Sequence, residues 1–132
     1  MAEHNDYGRE SEEKVTKFLA KMGYKILARN YKFQRGEVDI VALETKKARK
    51  RKDVLMSSEQ LNEDVVVFVE VKARHSQEYG SPSEAVGQTK QKMYNLVANE
   101  FMKKKKFKGK PFRFDIVEVL GNEVVNHIEN GF

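Results

Sequence analysis

The sequence predicts a small α/β sandwich with a mixed sheet. Three observations carry this reading: apolar residues at helical spacing near the amino end, five later runs of β-forming residues, and a helix-start signature between the third and fourth of those runs. At 132 residues the chain has room for one domain, since single domains cluster at about 100–150 residues.

The elements follow in order. Val15, Phe18, Leu19 and Met22 recur at helical spacing, Asn5 or Asp6 can cap the start, and Gly23 suits a left-handed C-terminal position, so a helix is expected over residues 6–22. Residues 24–33 are rich in β-formers. A turn at Gln34-Arg35-Gly36 leads into a second strand over 37–43. Residues 45–63 are charged and poor in apolar groups, which predicts a long, partly disordered connection, a basic and flexible insertion within the single domain 1–132.

The apolar run Val65-Val66-Val67-Phe68-Val69 reads as a central strand buried on both faces, emerging into Glu70-Val71-Lys72-Ala73-Arg74. Ser81-Pro82-Ser83-Glu84 is a capping box with proline at the first helical position, which opens a helix over about 82–104. Residues 112–120 form a strand, and a Gly121-Asn122 turn leads to a shorter one ending at Ile128. The expected order is α-β-β-β-α-β-β.

Charge sharpens the picture. The net charge is +5, but 12 of the 25 Lys and Arg lie in two short runs: Lys46, Lys47, Arg49, Lys50, Arg51 and Lys52, then Lys103, Lys104, Lys105, Lys106, Lys108 and Lys110. The remainder holds 13 basic against 20 acidic residues, a balance of −7. An acidic body therefore carries two basic appendages. Such runs are commonly solvated faces; their functional reading is contact with a phosphate backbone, with Tyr79 and Tyr94 as stacking groups.

The chain has no cysteine, which excludes disulfide scaffolds, thiolate catalysis and sulfur-ligated zinc. No leader-like or membrane-spanning apolar segment is visible, and a soluble, cytoplasmic protein is expected. No phosphate-cradling Gly-x-x-x-x-Gly-Lys loop, no Gly-x-Ser-x-Gly elbow and no metal-spaced histidine pair occurs.

At four places ionisable residues occupy positions that periodicity assigns to the interior. Glu12 shares a helix face with Val15 and Leu19, although a first-turn carboxylate also suits the helix dipole. Asp39 stands mid-strand on a face with Val41 and Leu43, opposite Val38, Ile40 and Ala42; the plainer reading is a strand end meeting solvent. Glu70, Lys72 and Arg74 line one face directly after the most buried run, as a site or as a cross-strand charge ladder. Lys90 falls within the stripe of Val86, Met93, Val97 and Phe101, where a lysine also buries its stem and reaches for water.

Together these residues describe a chemistry. Carboxylates on neighbouring strands, Asp39 and Glu70, can share a hard divalent cation such as Mg²⁺, with Lys72 beside it. Such a set suits phosphodiester hydrolysis, in which Lys72 orients water or stabilises developing negative charge.

Gly8-x-x-x-Glu12, Arg29-Asn30, Gly36-Glu37-Val38-Asp39-Ile40-Val41, Phe68-Val69-Glu70-Val71-Lys72-Ala73-Arg74, Tyr79-Gly80-Ser81-Pro82, Lys90, Arg113-Phe114-Asp115, His127-Ile128 and Phe132 resemble, in that order, the YraN-like family of small bacterial proteins. That family is placed in the restriction-endonuclease-like PD-(D/E)xK superfamily, closest in function to archaeal Holliday junction resolvases. The resemblance implies a restriction-endonuclease-like α-β-β-β-α-β core, its mixed sheet flanked by helices. It implies that Asp39, Glu70 and Lys72 are catalytic, that Asp39, Glu70 and Glu12 face Mg²⁺ or Mn²⁺, and that Arg74 and Lys90 lie where they contact nucleic acid; contact by Lys46, Lys47, Arg49, Lys50, Arg51 and Lys52 rests on their charge alone. It implies a metal-dependent endonuclease acting on DNA in preference to RNA, on branched or otherwise structured substrates; resolvase-like relatives often work as homodimers. A non-catalytic nucleic-acid-binding protein on the same fold is the alternative. Two departures stand out: the basic expansion between the Asp39 and Glu70 strands, and Gly131 where alanine is usual.

Overall fold

The amino-terminal helix is closed by the residue that its sequence marks. In the computed structural model, which describes residues 2–51, 63–74 and 87–132, α1 spans Ala2–Lys21. It starts earlier than expected, so Asn5 and Asp6 lie inside it and neither is its cap. Gly23 takes φ +103°, the left-handed backbone that costs glycine least. The N–H of Tyr24 donates to the Leu19 carbonyl (2.9 Å) and that of Gly23 to Ala20 (3.0 Å). These two bonds satisfy carbonyls that the helix end would otherwise leave bare.

Five strands then form one sheet: β1 (Lys25–Phe33), β2 (Gly36–Glu44), β3 (Val65–Arg74), β4 (Phe112–Leu120) and β5 (Glu123–Ile128), side by side in chain order. All neighbours are antiparallel except β3 and β4, which are parallel. A parallel pair needs a crossover, and the helix α3 (Gln88–Lys104) supplies it. The mixed sheet and its flanking helices agree with a restriction-endonuclease-like arrangement.

The β1–β2 hairpin turns at Gln34 and Arg35, with Phe33 paired to Gly36. Gly36 is required there for a packing reason. A Cβ at this position would stand 2.6 Å from Met93 Cγ and 2.7 Å from Val97 Cγ2 of α3.

Each face of the sheet carries its own core. Val15 and Leu19 of α1 pack with Tyr24, Ile40, Ala42, Val67, Val69, Val117 and Val119 on one face. Tyr94, Val97, Ala98 and Phe101 of α3 pack with Val38, Val41, Val66 and Phe68 on the other. Val66 through Val69 are fully buried, as a strand covered on both faces should be.

Two expectations change. The basic segment after β2 begins as ordered structure: α2 (Lys46–Lys50) is a single turn capped by Thr45, whose hydroxyl accepts from the Ala48 N–H at 3.3 Å and donates to the Gly23 carbonyl at 2.6 Å. Ala48 and Arg49 are both buried, and Ala48 lies against Gly23 at the end of α1. Second, α3 begins at Gln88 and not at residue 82: Gly87, whose ψ of 156° is extended, caps it without a side chain, and residues 82–86 of the expected helix lie outside the described residues. The Ser81–Glu84 capping signature, Tyr79 and residues 52–62 lie outside the described residues. Among the described residues no helix is long and apolar enough to cross a membrane.

Candidate functional site

β2 and β3 pair from Glu44 and Val65 as far as Ile40 and Val69, and the ladder ends there. The alternation along β2 breaks at the same point. Val38 packs on the α3 face with Val41, while Ile40 and Ala42 pack on the α1 face, so Val38 does not share a face with Ile40 as strict alternation predicts. Asp39 is the residue at the break. Its carboxylate crosses the gap to β3, where Oδ2 accepts from the Val71 N–H at 2.8 Å. A side chain thus takes over where the backbone ladder stops.

Glu70 reaches the same gap from the α3 face. It is 6% exposed; one carboxylate oxygen accepts from Lys90 Nζ and the other from the Tyr94 hydroxyl. Lys90 and Tyr94 are four residues apart on α3, so one helical face delivers both. The backbone N–H of Asp39 approaches the same phenolic oxygen, which makes Tyr94 a bridge between the two acidic strands. Burial, with Asp39 and Glu70 beside it, pushes the Tyr94 hydroxyl far above its ordinary range, so it stays a proton donor. Tyr94 is fully buried, which removes it as a stacking group for bases.

Burial is also the first reason that the Asp39 carboxyl is pushed up to about 7. The charge of Glu70 adds to it and Glu12 contributes less, while the Val71 N–H and Lys90 act in the opposite direction. The native chain therefore holds a proton that the unfolded chain releases near 3.8. Between these values the folded state binds more protons, so its stability falls as pH rises. Denaturant titrations from pH 4 to 8 should show wild type losing stability across this window relative to Asp39→Asn. Parallel curves would contradict the assignment.

Glu12 lies on the other face. Asn30, at φ +49°, donates through Nδ2 to both Glu12 oxygens at 2.6 and 3.3 Å, and Arg29 pairs with Glu13 at 2.9 Å. A cavity of about 150 Å³ lined by Gly8, Ser11, Glu12, Asp39, Val71 and Ala73 opens between α1 and the sheet. Asp39 thus meets Glu12 on one side and Glu70 on the other, with the sheet between those two. Among the described residues no group of three His, Cys, Asp or Glu is placed to hold a metal ion as it stands. The donor set still fits a hard cation, since Mg²⁺ takes one or two carboxylates and keeps several waters. Asp39 Oδ1 has no hydrogen-bond partner among the described residues, and a cation would relieve the Asp39–Glu70 repulsion.

Lys72 and Arg74 are half-buried farther along β3, on the Glu70 face; Lys72 stands opposite Glu118, and the Arg74 carbonyl accepts from Gly121 N–H at 2.7 Å. Lys46, Lys47, Lys50 and Arg51 are exposed and line a cavity of about 470 Å³. They follow Glu44, at the opposite end of β2 from Asp39, a separation of roughly 17 Å at ~3.4 Å per residue. Arg49 leaves this set. It is 3% exposed and donates to the Glu44 carbonyl at 2.7 Å, because α2 turns it inward. Lys52 lies outside the described residues.

Sequence reasoning missed a buried ionic network on the α1 face. Arg113 donates to both Glu44 oxygens (2.9 Å each) and to Asp115 (2.9 Å). Tyr24 donates to Glu44 at 3.0 Å, and His127 meets Asp115 at 2.8 Å. Burial alone would raise the Asp115 carboxyl, but hydrogen bonds from His127 and Arg113 outweigh it and hold it below its ordinary value. Register carried a signal: Glu44 continues the face of Ile40 and Ala42, and Arg113 and Asp115 continue that of Val117 and Val119.

Comparison with known proteins finds relatives that match this chain over nearly its whole length. The chain is 42% identical over 132 residues to a UPF0102 protein of Caldicellulosiruptor saccharolyticus, covering 96% of this chain and 97% of the relative. It is 37% identical over 127 residues to one from a Sulfurihydrogenibium species, covering 95% and 92%. Identity to a UPF0102 protein of Clostridioides difficile is 34% over 131 residues, covering 98% and 96%. The model of the uncharacterised protein family UPF0102 matches residues 11–119, which take in Glu12, Asp39, Glu70, Lys72, Lys90 and Tyr94, and the chain belongs to that family.

Proposed function

We propose that this chain is a metal-dependent nuclease of the PD-(D/E)xK type that hydrolyses phosphodiester bonds in DNA, on branched or otherwise structured substrates, in the cytoplasm. The observation that carries the reading is the fork where β2 and β3 part. There a raised Asp39 carboxyl and the buried Glu70 carboxylate meet, with Lys72 two residues farther along.

In this reading Asp39 and Glu70 hold Mg²⁺ or Mn²⁺, and Glu12 is a further ligand that would have to leave Asn30 to reach it. The bound cation would offset phosphate charge and lower the pKa of a water. Asp39 must lose its proton first, so activity rises with pH through about 7. Tyr94 fixes the Glu70 carboxylate and the Asp39 backbone in one geometry, and Lys90 holds the other Glu70 oxygen. Lys72 orients the attacking water or stabilises the charge that develops on the phosphate. Arg74 receives the backbone next to the cut, and Lys46, Lys47, Lys50 and Arg51 hold it farther away.

A second reading has its own support. The Lys90 ammonium sits on Glu70, as a cation would, which suits a nucleic-acid-binding protein that keeps the fold without turnover. Labelled duplex, single-stranded and four-way-junction DNA, each with Mg²⁺, Mn²⁺ or chelator, separate the two. Cutting with metal alone is expected; binding of every substrate without cutting would overturn the enzyme reading. Replacing Lys46, Lys47, Lys50 and Arg51 by Gln should weaken duplex binding at every sequence. It should also flatten the log–log salt slope by up to about 3.6, at ~0.9 per phosphate contact. An unchanged slope would remove these residues from the interface.

A further inference from the structure

The second lysine run is built around a pocket that the proposed chemistry does not use. After α3 the chain closes tightly: Lys105 N–H donates to the Phe101 carbonyl (2.9 Å), Phe107 N–H to Met102 (2.8 Å) and Lys110 N–H to Phe107 (2.9 Å). Lys106 and Gly109 take φ of +63° and +85°, and the Phe107 ring stacks on Phe101 at 6.2 Å and 8°. The turn is thereby pinned to the core while Lys103 to Lys106, Lys108 and Lys110 point into solvent.

Between this turn and β4 lies a cavity of about 300 Å³ lined by Asn99, Met102, Lys103, Lys108, Lys110 and Phe112, with Gly109 at its edge. Among the described residues no acidic one lines it. Phe112 is 37% exposed, unusual for a ring so firmly held: Phe68 and Phe114 each meet it edge-to-face at 5.8 Å. A fixed, exposed aromatic ring with cations on one rim and an amide on another matches an unpaired nucleotide. Its base needs a π-face and its phosphates need positive charge. A paired base has its faces covered by its stacked neighbours, so the ring selects against duplex.

We propose that this pocket takes an unpaired nucleotide within a nucleic-acid strand, with the base against Phe112 and the flanking phosphates on Lys103, Lys108 and Lys110. The proposal deepens the nucleic-acid reading above and rests on it, but does not depend on cutting. Phe112 pairs with Val66, four residues before Glu70 on the same sheet, so the pocket lies roughly 13 Å from the fork at ~3.3 Å per residue. That places single-stranded character on the substrate a few nucleotides from the scissile bond. The substrate class becomes a duplex that frays or branches, rather than a continuous one.

The test is binding in chelator, where cutting cannot contribute. The full chain is titrated into a fluorescent oligothymidylate of about 12 nucleotides and into a duplex of equal length. Phe112→Leu keeps apolar bulk against Phe68 and Phe114 but removes the aromatic face, and it should weaken the single strand about tenfold while leaving the duplex within about twofold. Lys108→Gln/Lys110→Gln should lower the single-strand salt slope by about 1.4. Thymidine monophosphate should compete only weakly. Unchanged single-strand affinity in both variants, at unchanged melting temperature, would overturn the site. So would equal losses on both substrates, or full displacement by the mononucleotide at stoichiometric amounts. These binding effects together with no cutting by the wild-type chain in a separate assay with Mg²⁺ or Mn²⁺ would count against the nuclease reading alone.

Discussion

Asp39→Asn should abolish metal-dependent cutting while leaving the protein at least as stable as wild type above pH 7. The amide is nearly isosteric and its oxygen can still accept from Val71 N–H, so the local backbone keeps its partner. What disappears is a carboxylate that burial and Glu70 make costly to ionise. A residue that costs stability and earns it back only in function behaves in this way. Lys72→Ala should lower kcat by about 10²–10³-fold, the usual scale for losing one preorganised positive or donor group. DNA affinity should stay within about threefold for both variants, since neither belongs to the distant basic clusters that dominate binding. Variants that cut as fast as wild type would point to a contaminating nuclease and away from the fork.

The largest stability effect is expected elsewhere, at Arg113→Met. Its guanidinium serves Glu44, 1% exposed, and Asp115, fully buried. Removing it leaves two buried carboxylates with too little positive charge, a change that costs about 3–5 kcal/mol in comparable buried pairs. A fall in Tm of roughly 10–20 °C follows for a domain of this size. Asp115 also sets the acid limit. Its carboxyl is held below the ordinary value, so its contribution is present above pH ~4 and lost as pH falls further. In Arg113→Met that acid sensitivity should shrink in part, because Arg113 is gone while His127 still depresses Asp115. A Tm within about 2 °C of wild type would mean that the network contributes little.

Much of this architecture was legible from residue order. Alternation and turn chemistry located all five strands, and helical spacing located both main helices. Asp39 and Glu70 were marked as charges in apolar surroundings, and the fork brings them together. The break itself was not legible: alternation assumes an unbroken ladder, and Val38 changes face because β2 parts from β3 beyond Ile40. Glu12 obeyed its helix period, yet the sheet separates it from Glu70, a relation that only the stacking of layers determines. Arg49 looked like one more solvated charge because a five-residue helix has too little period to show which side is buried. Arg113 and Glu44 are 69 positions apart, so their pairing is a property of the closed sheet. Tyr94 carried a visible hint, four residues after Lys90 on the same stripe, but aromaticity suggested base stacking where burial makes it a hydrogen-bond donor.

The central claim is that the carboxylates at the fork cut DNA through a divalent cation. Its most direct test is cleavage of one labelled four-way junction at pH 8 by wild type and Asp39→Asn, purified in parallel, stripped with chelator and then given Mn²⁺ again. Wild type should fall silent on stripping and recover on return of the metal, while Asp39→Asn stays silent throughout. Cutting that survives the chelator, or recovery of both proteins to the same rate, would contradict the claim.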